Sequence, residues 1–157
     1  MSKKILIPLD GSEIGEAALQ YVEEMISSLE MVERIDVTLI HVIAHPTQRI
    51  EARGVFLQRT MTEEELEPVK QQALAYLENS AEVLRTKGVN VTCNVLVRET
   101  GTSSAEEIIK AEEEYKVDLV AMSTHGRRGI RRWAFGSVTE KVLRGGNVPV
   151  LVVRAKK

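Results

Sequence analysis

Short apolar segments alternate along this chain with segments whose apolar residues recur every three or four positions. This alternation limits the possible folds more than any other feature, because apolar runs bounded by turn residues predict buried strands and the 3–4 spacing predicts amphipathic helices. The five predicted strands are residues 5–9, 37–43, 89–97, 118–123 and 148–153. Strands that alternate with helices form parallel sheets. We therefore expect an α/β fold, an open, mostly parallel five-stranded sheet with helices on both faces.

The predicted helices have recognisable start signals. Ser12 is a candidate N-cap of the first helix, and Thr62 precedes Glu65 with the spacing of a capping box. Ser137 and Glu140 have the same spacing, at the start of a fourth helix that we expect to end near residue 144. The first helix is expected to bury a stripe of Ile14, Ala18, Val22, Met25 and Leu29. For the third helix the cap candidates are Thr102, Ser103 and Ser104, and the expected core face is Ala105, Ile108, Ile109 and Tyr115.

Residues 44–61 show no clear periodicity and are expected to be irregular. A structureless connection of this length inside a compact domain is unusual and often functional. It contains three arginines and an apolar pair, namely Arg49, Arg53, Arg59, Phe56 and Leu57. Two interpretations stay open for it, a surface loop and a flap over a ligand.

The strand sequences also indicate positions within the sheet. Residues 89–97 begin with alternating apolar and polar side chains, as expected near a sheet edge, and Pro149 argues against a fully paired central strand. In open α/β sheets, ligands bind beyond the carboxyl ends of the strands, where the strand order reverses. If the first and fourth strands are neighbours at that point, Asp10 and the loop of residues 124–136 face one crevice.

That loop is rich in glycine and arginine. It holds Gly126, Gly129 and Gly136 and four arginines at positions 127, 128, 131 and 132. Glycine lets a backbone approach a ligand closely, and the first N–H groups of a helix attract anions. The sequence therefore predicts a loop that binds a polyphosphate.

Composition narrows the class of protein. A chain of 157 residues with a formal net charge of −2 is expected to form one domain over residues 1–157 and to bind neither nucleic acid nor membrane. The single cysteine, Cys93, excludes an internal disulfide and suits a reducing compartment. The apolar run after Lys3 and Lys4 is too short for a signal peptide or a membrane span, so a cytoplasmic location is expected.

Several catalytic classes are disfavoured by the motifs. The sequence has neither the G-x-x-x-x-G-K-[ST] nor the G-x-G-x-x-G pattern, nor a nucleophile elbow. The histidines at 41, 45 and 125 match no standard metal-ligand spacing, so no metal site is predicted. No histidine or second acid is paired with Asp10 by sequence, and no catalytic residue is assigned. If a bound polyphosphate is hydrolysed at all, we expect the reaction to be slow.

The chain resembles the universal stress protein family, of the single-domain UspA-like kind, over nearly its whole length. The resemblance rests on residues 8–12 (Pro-Leu-Asp-Gly-Ser), on His41-Val42, and on Gly126 separated by nine residues from Gly136-Ser137. The terminal strand, residues 148–153, also matches. The resemblance implies a Rossmann-like sheet of the adenine nucleotide alpha hydrolase-like type.

The resemblance further implies an ATP site, with Mg²⁺, and a role for each matching residue. Asp10 would bind the ribose hydroxyls, and Val42 would meet the adenine through its backbone, with Pro8 and Leu9 close by. Met122 and Ser123 would line the sugar–phosphate region. The phosphates would be surrounded by His125, Gly126, Gly136, Ser137, Val138 and Thr139.

One position departs from the family pattern, because Ser123 replaces the first glycine of Gly-x-x-Gly. An alternative interpretation is therefore a dimeric interaction protein of the same family that binds no nucleotide. The resemblance also implies a homodimer through the last strand. An apolar edge such as residues 148–153 would favour aggregation if it were left bare.

Overall fold

Seven strands and four helices follow one another in the residues that the computed structural model describes, which are 2–29, 34–43, 47–124 and 136–155. In chain order they are β1 (Ser2–Pro8), α1 (Glu13–Ser28), β2 (Arg34–Ile43), β3 (Thr47–Ala52), β4 (Val55–Thr60), α2 (Glu63–Arg85), β5 (Asn90–Val97), α3 (Ser104–Glu114), β6 (Leu119–Thr124), α4 (Ser137–Gly145) and β7 (Val150–Arg154). None of these helices has the length and apolar character needed to cross a membrane. The predicted alternation of strands and helices is confirmed, and a hairpin is added to it.

The main sheet has five parallel strands in the order β5-β2-β1-β6-β7. The first and fourth predicted strands, β1 and β6, are therefore neighbours, and the chain reverses its direction of winding between them. The strand containing Cys93 and the strand after Pro149 lie at the two edges, as their sequences predict. This order brings the carboxyl ends of β1 and β6 to the same crevice.

Helices cover both faces of the sheet, as predicted. Side chains alternate along β1, so that Ile5 and Ile7 pack into the core beneath α1 and α2, whereas Leu6 packs into the core beneath α3 and α4. On α1, Val22 is fully buried, but Ile14 and Leu29 at the ends of the predicted stripe are 37% and 50% exposed. The stripe therefore faces the sheet only over its middle turns.

The expectation of an irregular segment over residues 44–61 is wrong for the part that the structure describes. Strands β3 and β4 form an antiparallel hairpin in which Ala52 pairs with Val55. The two turn residues, Arg53 and Gly54, have φ values of 50° and 72°, and two positive φ values in a row are typical of a type I′ turn. An Arg-Gly pair is a weak signal for this turn compared with Asn-Gly, and sequence reasoning missed it.

Candidate functional site

A cavity of about 420 Å³ opens at the carboxyl ends of β1, β2 and β6. Every predicted site residue in the described chain lines it, namely Pro8, Leu9, Asp10, Val42, Met122, Ser123, Gly136, Ser137, Val138 and Thr139. The predicted residues His125 and Gly126 lie outside the described residues, as do the four arginines of the loop. The strand order thus brings together groups that are more than a hundred residues apart in sequence.

The cavity also has lining residues that sequence reasoning did not select: Ile14, Gly15, His41, Ser104 and Ile108. Two of these had a usable signal. His41 is a polar residue within the apolar end of β2, and Gly15 is a poor helix former inside the first turn of α1. Ser104 and Ile108 are four residues apart on α3, so they share one helix face.

Asp10 is held as a carboxylate by the start of α1. Its Oδ1 accepts hydrogen bonds from the Ser12 amide at 2.9 Å and from the Ser12 hydroxyl at 2.5 Å. Burial raises the pKa of Asp10, but the hydrogen bonds from Ser12 outweigh burial and hold the pKa below its ordinary value of 3.8. Both bonds use Oδ1, so Oδ2 remains able to accept hydrogen bonds from a ligand.

Ser12 and Gly15 make this arrangement possible. The Ser12 hydroxyl accepts from the Gly15 amide at 3.0 Å, so Ser12 is the N-cap of α1, as predicted. A Cβ atom at position 15 would lie 2.5 Å from Asp10 Oδ1. Only glycine at this position leaves room for the carboxylate against the first turn of α1.

His41 lies beside Asp10, although no histidine could be paired with Asp10 by sequence. Its Nδ1 is 2.8 Å from the Leu9 carbonyl oxygen, and because a carbonyl can only accept, Nδ1 carries the proton. The ring meets Tyr76 edge-on, with centroids 6.4 Å apart, and the Tyr76 hydroxyl donates to Glu16 at 3.1 Å. Burial and the bond to Glu16 raise the pKa of Tyr76 to about 12, so Tyr76 stays protonated.

Val42 presents unpaired backbone groups at the end of β2. The Ile40 carbonyl accepts from the Leu9 amide at 2.8 Å, on the β1 side, whereas the Ile43 carbonyl accepts from Arg98 on the β5 side. Backbone groups alternate between neighbours along a parallel strand, so the N–H and C=O of Val42 face β1. Within the described chain neither of the two has a backbone partner there.

The start of α4 differs from its prediction. Ser137 and Glu140 do not form a capping box, because Gly136 is the N-cap, with a φ of 85°, and no side chain caps the helix. The first helical bond runs from the Glu140 amide to the Gly136 carbonyl at 3.0 Å. The preceding N–H groups of the first turn therefore have no partner within the helix.

Ser123 and Thr139 tie this end of the cavity together. The Ser123 hydroxyl accepts from the Ala18 amide at 2.8 Å and donates to the Gly15 carbonyl at 3.0 Å. Thr139 is 5% exposed, and its hydroxyl donates to the Ser123 carbonyl at 3.4 Å. The serine that departs from the family pattern thus uses its hydroxyl to fasten α1 to β6, so it is not a free phosphate ligand.

The cavity presents three kinds of polar group to a ligand. They are Oδ2 of Asp10, the backbone N–H and C=O of Val42, and the uncapped start of α4. The described residues contain no group of three or more His, Cys, Asp or Glu side chains that could hold a metal ion. The remaining walls are largely aliphatic, from residues such as Leu9, Ile108 and Met122. A ligand with a flat polar edge, hydroxyls and an anionic end is complementary to these groups.

Comparison with known proteins shows close relatives. The universal stress protein MJ0577 of Methanocaldococcus jannaschii is 33% identical to this chain over 99% of this chain and 97% of its own. The solved structure of MJ0577 superposes with a TM-score of 0.70 at 30% identity, covering 99% of this chain and 97% of the other.

More distant structures share the fold. A universal stress protein of Archaeoglobus fulgidus, solved in complex with dAMP, has a TM-score of 0.61 at 18% identity and covers 98% of each chain. A universal stress protein in complex with cAMP has a TM-score of 0.64 at 15% identity, covering 97% of this chain and 96% of the other.

The sequence model of the universal stress protein family matches residues 1–154. This match spans nearly the whole chain and agrees with the relatives above. The chain therefore belongs to the universal stress protein family.

Proposed function

We propose that this protein binds ATP, with Mg²⁺, at the cavity and acts as a cytoplasmic stress-response regulator built as one domain over residues 1–157. One observation carries the proposal: the open Val42 edge, the free Asp10 oxygen and the uncapped start of α4 line the same cavity. These groups match the base, the sugar and the phosphates of a nucleotide.

The backbone edge of Val42 suits adenine. Adenine carries an amino donor beside a ring-nitrogen acceptor, whereas guanine carries two acceptors along its N7–O6 edge. The Val42 N–H would donate to the ring nitrogen, and the Val42 C=O would accept from the amino group. The aliphatic side chain of Ile108 lines the same cavity and would contact the base.

The other two groups suit the sugar and the phosphates. Asp10 stays ionised at neutral pH and would accept hydrogen bonds from the ribose hydroxyls through Oδ2. The amides at Ser137 and Val138 and the positive end of the α4 dipole would bind phosphate oxygens. Mg²⁺ would be held mainly by the phosphates and water, as is usual for this ion in nucleotide sites.

The relatives support the nucleotide class. Complexes with dAMP and with cAMP have been solved for two members of the family, and both ligands are adenine nucleotides. Regulation is favoured over catalysis, because the sequence lacks a P-loop lysine and because, although burial raises the pKa of Asp10, the hydrogen bonds from Ser12 hold it below its ordinary value, which makes Asp10 a weak base. Hydrolysis, if present, is expected to be slow.

The test is a thermal melt and a calorimetric titration with Mg-ATP. ATP at a hundredfold excess over Kd should stabilise the fold by about 2.7 kcal/mol. Gly136→Asp should abolish the stabilisation, because it places a carboxylate at the start of α4, where the phosphates would bind, and a side chain on a residue whose φ is 85°. Gly54→Asp is the matched control, since Gly54 also has a positive φ, of 72°, but lies at the tip of the hairpin.

Two results would contradict the proposal. One is no shift of the wild-type melt at millimolar ATP, which would favour the nucleotide-free interaction protein. The other is an equal loss of ATP binding in Gly136→Asp and Gly54→Asp, since it would trace the loss to backbone strain alone.

We also propose that the protein is a homodimer through β7. This strand lies at an edge of the sheet, and Leu151, Val152 and Val153 remain partly exposed there. An apolar edge strand is stabilised when another strand covers it. Val152→Lys should yield monomers or aggregates by light scattering, whereas an unchanged dimer would refute the assignment.

A further inference from the structure

We propose that His41 is a positioning residue of the cavity. Its ring donates a hydrogen bond to the Leu9 carbonyl and thereby leaves the Val42 N–H free to bind the base. The part of this inference that concerns ligand selection rests on the proposed function. The part that concerns the backbone does not, because it describes how β1 and β2 separate.

The argument starts from the ladder between the two strands. In a pair of parallel strands, the hydrogen bonds to the neighbouring strand recur at every second residue, and each of these bonds is called a rung here. The Leu9 amide donates to the Ile40 carbonyl, so the next rung would run from the Val42 amide to the Leu9 carbonyl. That rung is not formed, and the Leu9 carbonyl is instead 2.8 Å from His41 Nδ1.

Burial explains why a replacement donor is needed. Leu9 is 3% exposed, and buried carbonyl groups are almost always hydrogen-bonded. If His41 did not donate, the nearest regular donor would be the Val42 amide. The strands would then stay paired for one more rung, and Val42 would lose the group that it offers to the cavity.

The surroundings of His41 hold the ring in this position. Tyr76 of α2 packs edge-on against it, and Glu16 of α1 accepts a hydrogen bond from the Tyr76 hydroxyl. On the loop after β1, the Asp10 carboxylate lies close enough for the charge of His41 to contribute to its lowered pKa. The ring thus lies between α2 and the loop after β1, and α1 helps to hold Tyr76 against it.

Amide hydrogen exchange in the ligand-free protein tests the backbone part directly. In the wild type, the Val42 amide should exchange much faster than the Ile40 amide, which is paired within the sheet. In His41→Ala and His41→Phe, the Val42 amide should slow at least tenfold as it pairs with Leu9. His41→Phe keeps a ring against Tyr76, so it separates the lost donor from lost packing.

His41→Asn is the rescue variant, because its amide nitrogen occupies about the position of Nδ1 and can donate to Leu9. It should keep the fast exchange of the wild type. Equal exchange of Val42 in the wild type, His41→Ala and His41→Phe would overturn the proposal.

Analogues of ATP test the ligand part. The Val42 N–H would donate to one ring nitrogen of adenine, and carbon replaces one such nitrogen in 1-deaza-ATP and another in 7-deaza-ATP. The analogue that lacks the nitrogen bound by Val42 should bind the wild type about tenfold more weakly than ATP does. His41→Ala should bind ATP about tenfold more weakly and should no longer distinguish ATP from that analogue. His41→Asn should discriminate as the wild type does.

The outcomes separate the two proposals. Absence of ATP binding in the wild type would refute the proposed function, while the exchange of Val42 would still decide the role of His41. Undiminished discrimination in His41→Ala would overturn the role of His41 in ligand selection and leave the proposed function intact.

Discussion

Of the three helices that begin at the cavity, α3 and α4 begin in opposite ways. At α3 the Ser103 hydroxyl accepts from the Glu106 amide at 3.2 Å, and the Glu106 carboxylate accepts from the Ser103 amide at 3.0 Å. At α4 the N-cap is Gly136, and among the described residues no side chain caps the first turn. The comparison teaches that two helices with similar dipoles can differ at their starts, because the capping box of α3 already uses the Ser103 and Glu106 amides.

Charge strengthens the contrast. The first turn of α3 carries two acids, Glu106 and the largely buried Glu107. Glu107 is 3.7 Å from Lys110, so Glu106 is the acid that would repel a phosphate. The acid in the first turn of α4, Glu140, is paired with Arg144 at 2.9 Å. We infer that a nucleotide would lie with its phosphates toward α4 and its base toward Val42 and α3.

The largest expected effect comes from adding a carboxylate to the start of α4. Ser137→Asp should lower ATP affinity about a hundredfold, since like charges about 4 Å apart near a protein surface repel by about 4 kcal/mol before screening by salt. The same change should stabilise the ligand-free protein by about 0.3–1 kcal/mol, because an acid suits a helix N-terminus. Calorimetric titration and a thermal melt measure the two effects.

Ser104→Asp is the matched variant at the start of α3. It lines the same cavity, but away from the inferred phosphate position, and should change ATP affinity less than tenfold. If it weakened binding as strongly as Ser137→Asp, the two helix starts would be equivalent and the inferred orientation would be wrong.

An intermediate effect is expected from removing the α3 cap. Ser103→Ala should destabilise the protein by about 1 kcal/mol, because it leaves an amide of the first turn without its acceptor. ATP affinity should stay within about threefold of the wild type. Ser137→Ala should leave the stability of the ligand-free protein almost unchanged, since no cap bond involves Ser137. Urea unfolding measures the stability of both variants. Equal losses of stability in Ser103→Ala and Ser137→Ala would contradict the difference between the starts of α3 and α4.

The smallest effect concerns the start of α1, where the N-cap residue Ser12 also donates hydrogen bonds to the site residue Asp10. The pKa of Asp10 is lower in the folded protein, so the contribution of Asp10 to stability is complete above the unfolded value, near 3.8, and is lost as the pH falls through the folded value. Ser12→Ala should raise this pKa, because it removes the hydroxyl bond to Oδ1. Carbon-13 NMR of the Asp10 carboxyl measures the shift, and an unchanged titration would exclude the Ser12 hydroxyl as a cause of the lowered pKa.

Much of the fold and of the site could be predicted from the sequence, for local reasons. Local sequence determines the alternation of strands and helices, the N-caps at Ser12 and Thr62, and the turn at Gly136 before α4. The hairpin was missed because Arg53-Gly54 is an uncommon pair for its turn, and the capping box at Ser137 was wrong because Gly136 takes the N-cap position.

By itself, the sequence determined the α/β class, the N-caps of α1 and α2, and the family to which the chain belongs. Only the tertiary structure decided that β1 and β6 are neighbours, that the Ser123 hydroxyl fastens α1, and that His41 takes the Leu9 carbonyl. Helix and strand signals arise between residues a few positions apart, where sequence spacing fixes geometry. Contacts such as Ala18 with Ser123 join residues 105 positions apart, and only the strand order brings them together.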